Sequence, residues 1–76
     1  MGKQRHLAGQ KIRQWRTERK PPLSGEEFAD RYGYARAAVY RWEVSGQIPI
    51  LETVMRLKEL GICEPEDWMK PATKVA

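Results

Sequence analysis

Residues that interrupt helices divide this chain into short segments of helical pattern. Proline lacks the backbone N–H that continues a helix, and glycine readily adopts the positive φ that ends one. The interrupting residues are Pro21, Pro22, Gly33, Gly46, Pro49 and Gly61. Between them, apolar residues recur every three or four positions, which is the spacing of one helix face. No alternating strand pattern and no internal repeat is present, so the sequence predicts an all-α fold.

The first two segments carry clear helix signals. A first helix is predicted over about residues 7–19, where the two prolines stop it. A second is predicted over 25–32, because Ser24 and Glu27 have the spacing of a capping box at its start. Gly33 follows directly and predicts the end of this helix.

Three further segments complete the pattern. A third helix is predicted over about 35–45, and a fifth, short one over 64–69, where Pro65 and neighbouring acids suit a first turn. The fourth has one apolar stripe, formed by Leu51, Val54, Leu57 and Leu60. The sequence thus predicts a compact bundle of about five short helices. Its domain spans 7–69, between a flexible basic arm, 1–6, and a tail, 70–76.

Basic residues are concentrated in the first half of the chain. The whole chain has fourteen Lys and Arg against ten Asp and Glu, and ten of the basic residues precede residue 43, with only four acids. Such asymmetry indicates a cationic face. It fits either a solvated surface or a polyanionic partner, with nucleic acid favoured over membrane because no large apolar face opposes the charges.

Several classes of function are disfavoured by composition. Cys63 is the only cysteine, so neither an internal disulfide nor a cysteine-based zinc site is available. No apolar stretch approaches the roughly 20 residues of a membrane helix, and no signal-peptide pattern opens the chain. No cluster of His, Cys or carboxylates has catalytic spacing. We therefore expect a cytoplasmic, non-enzymatic protein without metal or cofactor.

Residues 25–44 have the spacing of a helix-turn-helix. Counted from Gly25, Ala29 is fifth and small where a second helix crosses, and Gly33 is ninth, at the turn. Val39 and Trp42 are fifteenth and eighteenth, where apolar side chains fill the angle between the helices. The pattern predicts two helices joined by a tight turn.

The sequence resembles the phage repressor and Cro superfamily of helix-turn-helix proteins, the XRE type. The resemblance lies in FADRYG at 28–33, VYRWE at 39–43, IRQWR at 12–16, PILETV at 49–54 and LGI at 60–62. It implies a lambda-repressor-like domain whose third helix enters the DNA major groove. The chain departs from the family in three places. The turn before the second helix, at 20–22, is two residues longer than usual, and Gly25 stands where a polar residue is usual. The 43–49 loop is similar to excisionase and MerR motifs.

The resemblance assigns base contacts to the free face of the third helix: Arg36, Ala37, Tyr40 and Arg41. Each arginine could bind guanine O6 and N7 or only neutralise phosphate, and Tyr40 could contact either a base or a phosphate. The phosphate candidates, each of which could equally be plain surface, are Arg13, Arg19, Lys20, Arg31 and Tyr34.

Arg16 and Glu43 occupy positions where the family has an ion pair between the first and third helices. We expect this pair to orient the third helix without adding net stability. The three tryptophans fit a core, with Trp68 a candidate dimer contact because it belongs to the last short helix. His6 and Cys63 have no partners at ligand spacing.

These observations together predict a sequence-specific transcription regulator that binds a double-stranded DNA operator. It would act as a homodimer, with half-sites about 34 Å apart or a multiple of that distance. Two alternatives stay open: an antitoxin-like protein that also binds a partner protein, and an excisionase-like protein that bends DNA.

Overall fold

Four α-helices and one 3₁₀ helix follow one another in the computed structural model, which describes residues 5–72. They are α1 (Leu7–Thr17), α2 (Gly25–Tyr32), α3 (Arg36–Glu43), α4 (Leu51–Glu59) and the 3₁₀ helix (Pro65–Met69). Over the described residues there is no strand, only an isolated antiparallel bridge between His6 and Pro71. The predicted all-α class is confirmed.

The segment between α1 and α2 begins earlier than the sequence predicts. α1 ends at Thr17, two residues before the predicted end, and the chain returns to the end of α1 where Leu23 N–H donates to Arg16 O at 2.9 Å. α2 has the predicted bounds. Glu27 N–H donates to Ser24 Oγ at 3.1 Å and Ser24 N–H donates to Glu27 Oε1 at 2.9 Å, which completes the capping box.

All five elements contribute to, or pack against, a single apolar core. Its largest fully buried side chains are Phe28, Ile12, Leu57 and Val39, from four different helices. The predicted stripe of α4 is only partly buried: Val54 and Leu57 face the core, whereas Leu51, the first residue of the helix, is 73% exposed. The core therefore begins one turn into α4.

Gly9 marks the closest approach of α1 to α3. A Cβ built on Gly9 would lie 2.3 Å from Trp42 O and 3.1 Å from the Glu43 Cα, so no larger residue fits without movement of the backbone. Glycine inside a helix costs about 1 kcal/mol relative to alanine. Its presence in α1 is explained by this backbone contact.

Lys11 of α1 binds a buried carboxylate of the 3₁₀ helix. Lys11 Nζ lies 2.8 Å from Asp67 Oδ2, which also accepts the Glu64 N–H at 2.8 Å. Burial by itself would raise the pKa of the Asp67 carboxyl, but the hydrogen bonds from Lys11 and Glu64, with the charges of Lys11 and Lys70, outweigh burial and lower it.

The lowered pKa of Asp67 predicts a loss of stability in acid. The unfolded chain takes up this proton first as the pH falls below about 3.9, the ordinary carboxyl value, and the folded chain takes it up only at lower pH. The stabilisation is thus present above that value and is lost as the pH falls from it through the lower pKa of the folded state. We expect the free energy of unfolding, measured with urea, to fall more steeply in acid for the native protein than for Asp67→Asn. Parallel dependence of this free energy on pH in the two proteins would contradict the prediction.

The two ends of the described chain are paired with each other. Ala72 N–H donates to Arg5 O and Leu7 N–H donates to Lys70 O, both at 2.9 Å. Arg5 and His6 are therefore held by backbone pairing, unlike the predicted free arm, and so is the start of the predicted tail. Residues 1–4 and 73–76 of these two segments lie outside the described residues.

His6 and Trp68 contact each other beside the paired ends of the described chain. His6 Nε2 is hydrogen-bonded to Gly46 O, and its ring meets Trp68 edge to face at 6.0 Å. Trp68 is only 2% exposed, so the prediction that it forms a dimer contact is wrong. The side chain is already covered within one copy of the chain.

Candidate nucleic-acid interface

The connection between α2 and α3 is a tight turn centred on glycine. Gly33 has φ +79°, and the next residue, Tyr34, donates its N–H to Ala29 O at 2.8 Å. Ala29 and Val39 are buried and Trp42 is 5% exposed, and all three side chains belong to the apolar core. One side of α3 is thereby fixed in the core.

The predicted ion pair between Arg16 and Glu43 is confirmed. Arg16 donates through Nε and Nη2 to the two oxygens of Glu43, at 2.8 and 2.7 Å, and through Nη1 to Leu23 O at 3.1 Å. The side chains of Arg16 and Glu43 are only 15% and 6% exposed. This two-pronged contact joins the end of α3 to α1 and to the segment before α2.

The opposite side of α3 is open. Arg36, Ala37, Tyr40 and Arg41 are all exposed, with Tyr40 at 60%. A shallow groove, here called the α3 groove, runs between this side, α1 and the start of α2, and its lining includes Arg13, Gly25, Arg36, Ala37 and Tyr40.

The Arg41 guanidinium is free. Within residues 5–72 it has neither a hydrogen bond nor an ion pair, so it is available to an external acceptor.

Arg36 is engaged by two carboxylates of α2, which the sequence did not indicate. Its guanidinium donates to Glu26 Oε2 at 2.7 Å and to Asp30 Oδ2 at 3.0 Å. The hydrogen bond to Asp30 raises the pKa of Arg36 above its ordinary value. All three side chains are more than half exposed, so solvent screens these pairs. A base contact by Arg36 would require exchange of these partners.

The predicted phosphate contacts do not form one surface. Arg13 lies in the α3 groove, whereas Arg19, Lys20 and Arg31 line a separate groove together with Glu18 and Glu27. Arg19 also packs over Trp15, with its guanidinium carbon 4.3 Å from the ring centroid.

Tyr34 is packed into the molecule. Its ring meets Trp42 edge to face at 5.0 Å, the Arg56 guanidinium lies 5.4 Å from it, and its hydroxyl is buried without a partner among the described residues. The prediction of a phosphate contact by Tyr34 is wrong because its polar end is turned away from solvent.

No group of three or more His, Cys, Asp or Glu side chains within 5–72 could hold a metal ion. Burial raises the pKa of the Cys63 thiol to about 11, which keeps it protonated near neutral pH. None of the helices within the described part of the chain is both long and apolar enough to cross a membrane.

Comparison of the chain with protein-family models, curated proteins and solved structures finds no match.

Proposed function

We propose that this protein is a sequence-specific DNA-binding regulator of transcription that places α3 in the major groove. The observation that carries the proposal is the two-sided character of α3. Val39 and Trp42 fix one side in the core, while Ala37, Tyr40 and Arg41 are exposed on the other. A helix of this kind fits the major groove, where base edges carry distinct hydrogen-bonding patterns.

The free guanidinium of Arg41 is the strongest candidate for a base contact. An arginine can donate two hydrogen bonds to guanine O6 and N7, which is the commonest specific contact in protein–DNA complexes. Ala37 offers a methyl group of the size that packs against a thymine methyl, and Tyr40 can reach either a base or a phosphate. The Arg16–Glu43 pair supports the proposal because it fixes the position of α3 relative to α1.

Contacts with the phosphate backbone of the DNA would come from the rest of the α3 groove. Arg13 is exposed and lines this groove, and Gly25 lies at the N-terminus of α2, where free N–H groups favour anions. Phosphate contacts at these two places would fix the orientation of the domain on the duplex without contributing to sequence preference.

A protein partner is a second candidate, favoured by apolar side chains that the domain leaves uncovered. Ile50 is 70% exposed, Leu51 73% and Met69 80%. These residues suit contact with a second copy, as expected for a homodimer on a two-fold operator, or with another protein, as expected for an antitoxin.

Selection of bound fragments from random duplexes, combined with the molecular mass in solution, tests the proposal. We expect enrichment of a two-fold symmetric sequence and a mass twice the 8.9 kDa of one chain. An asymmetric bent site would favour the excisionase-like alternative. Absence of any enriched sequence would contradict the proposal.

Arg41→Ala should weaken binding to the selected duplex by about 5- to 150-fold, the equivalent of 1–3 kcal/mol for one two-pronged contact. Binding to random duplex should fall much less. Arg13→Ala is the matched comparison, since loss of a phosphate contact weakens both duplexes equally. Fluorescence anisotropy at fixed salt measures both; equal losses for Arg41→Ala would show that Arg41 does not contact a base.

A further inference from the structure

We propose that Arg5 forms a further phosphate-binding position, outside the α3 groove, which extends the DNA contact onto the paired chain ends. The inference rests on the proposed function, and it concerns a residue that the helix-turn-helix pattern does not include. The phosphate belongs to the DNA backbone, since the position lies in a groove that adjoins the α3 groove.

A second groove adjoins the α3 groove and leads to Arg5. Its lining includes Arg5 and Ala72, and also Gly9, where α1 touches α3. Arg13, Glu43 and Val44 line both grooves. The two grooves therefore adjoin at these residues, and Arg5 lies in the neighbouring groove to the one that contains Arg13.

The backbone of Arg5 is held in place. Its carbonyl accepts the Ala72 N–H at 2.9 Å, and this bond forms the antiparallel His6–Pro71 bridge together with the bond from Leu7 N–H to Lys70 O. The side chain is exposed, and within the described residues the guanidinium has neither a hydrogen bond nor an ion pair. An anchored arginine loses less conformational entropy on binding than one on a mobile segment.

The charges around this second groove favour an anion. Arg5 and Arg13 are the charged residues of its lining besides Glu43, and the Glu43 carboxylate is already neutralised by Nε and Nη2 of Arg16. The remaining polar side chains, those of Gln10 and Gln14, are uncharged. Two cations with no uncompensated acid suit a phosphodiester backbone.

The salt dependence of DNA binding by the full chain tests the proposal. Each phosphate contact contributes about 0.9 to the slope of log K against log salt concentration. We expect Arg5→Gln to lower the slope by about one and the affinity roughly five- to tenfold at 0.1 M salt, equally on selected and random duplexes. Lys58→Gln is the control: it removes one charge from an exposed residue of α4 that lines neither groove.

A second variant tests the position of Arg5. Ala72→Pro removes the N–H bound to Arg5 O but keeps the charge, and we expect it to weaken binding less than Arg5→Gln does. Arg5→Gln should melt close to the native protein, since it leaves every backbone bond in place, whereas Ala72→Pro removes one of the two bonds that pair the chain ends. Binding by Ala72→Pro equal to native would show that the paired ends do not fix the contact.

Two failures are distinguishable. If the native protein binds duplex DNA but Arg5→Gln has the same slope and affinity as Lys58→Gln, the phosphate position at Arg5 is disproved and the proposed function stands. If the native protein does not bind duplex DNA at any salt concentration, the proposed function itself fails, and the inference fails with it.

Discussion

Gly9→Ala is expected to lower the free energy of unfolding by about 2–3 kcal/mol, within the range for overpacked cores. The new Cβ would lie 2.3 Å from Trp42 O, and a backbone oxygen cannot rotate away as a side chain can. α1 and α3 must therefore separate. A loss of this size is a large fraction of the total for a domain of 76 residues, about 4–11 kcal/mol. Differential scanning calorimetry should show a midpoint about 10–20 °C lower.

Gly25→Ala is the matched control because it makes the same change at a helix position with space. The nearest atom to a Cβ on Gly25 is Arg16 Nη2 at 4.0 Å, which is ordinary contact. Alanine is the better helix former, so this variant should be neutral or slightly stabilising. Gly9→Ala should thus be clearly the less stable of the two variants. A Gly9→Ala variant as stable as Gly25→Ala would contradict the close backbone contact between α1 and α3.

Glu43→Gln is expected to cost about 3 kcal/mol. Removal of one member of a buried ion pair leaves the other charge without its partner, and here the remaining charge is Arg16, only 15% exposed. Glutamine keeps the size of the side chain and one acceptor oxygen, so the loss reports the charge and not a cavity. Chemical denaturation of the native and variant proteins at pH 7 measures the difference.

Comparison with two further variants separates stability from orientation of α3. Glu59→Gln removes an exposed carboxylate of α4 and should change little. Arg16→Met combined with Glu43→Met removes both charges and should be more stable than Glu43→Gln alone, since neither charge is then left buried. If the pair orients α3, the double variant should fold but lose preference for the selected duplex. Unchanged preference would contradict an orienting role.

Signals that act within a few residues were sufficient to predict the start and end of α2. Ser24 and Glu27 bind each other's backbone across one turn, and Gly33 needs only its own conformational freedom to end the helix. Both features depend on neighbours in sequence, so a pattern of residue types contains them. The Arg16–Glu43 pair was predicted because the family resemblance supplied the register between α1 and α3.

Contacts between segments that are distant in sequence could not be predicted from local patterns of residue types. Lys11 and Asp67 are 56 residues apart, and no local pattern marks either as a member of a pair. The burial of the Tyr34 hydroxyl and the hydrogen bonds from Arg36 to α2 depend on how the helices cross. Gly9 did have a signal, since a glycine within a helical pattern commonly reflects close packing. The resemblance identified a face of α3, and tertiary contacts decided which of its side chains are free.

The pairing of Arg5 with Ala72 has a practical consequence for how the molecule can be connected to others. Because the two ends of the described chain are adjacent, a linker of a few residues could join them, and new termini could be opened in the exposed segment around Lys20. For the same reason, a domain fused directly to Arg5 or to Ala72 would emerge beside the groove that contains Arg5. Binding measurements on such a fusion would then report the fused domain as well as the native surface.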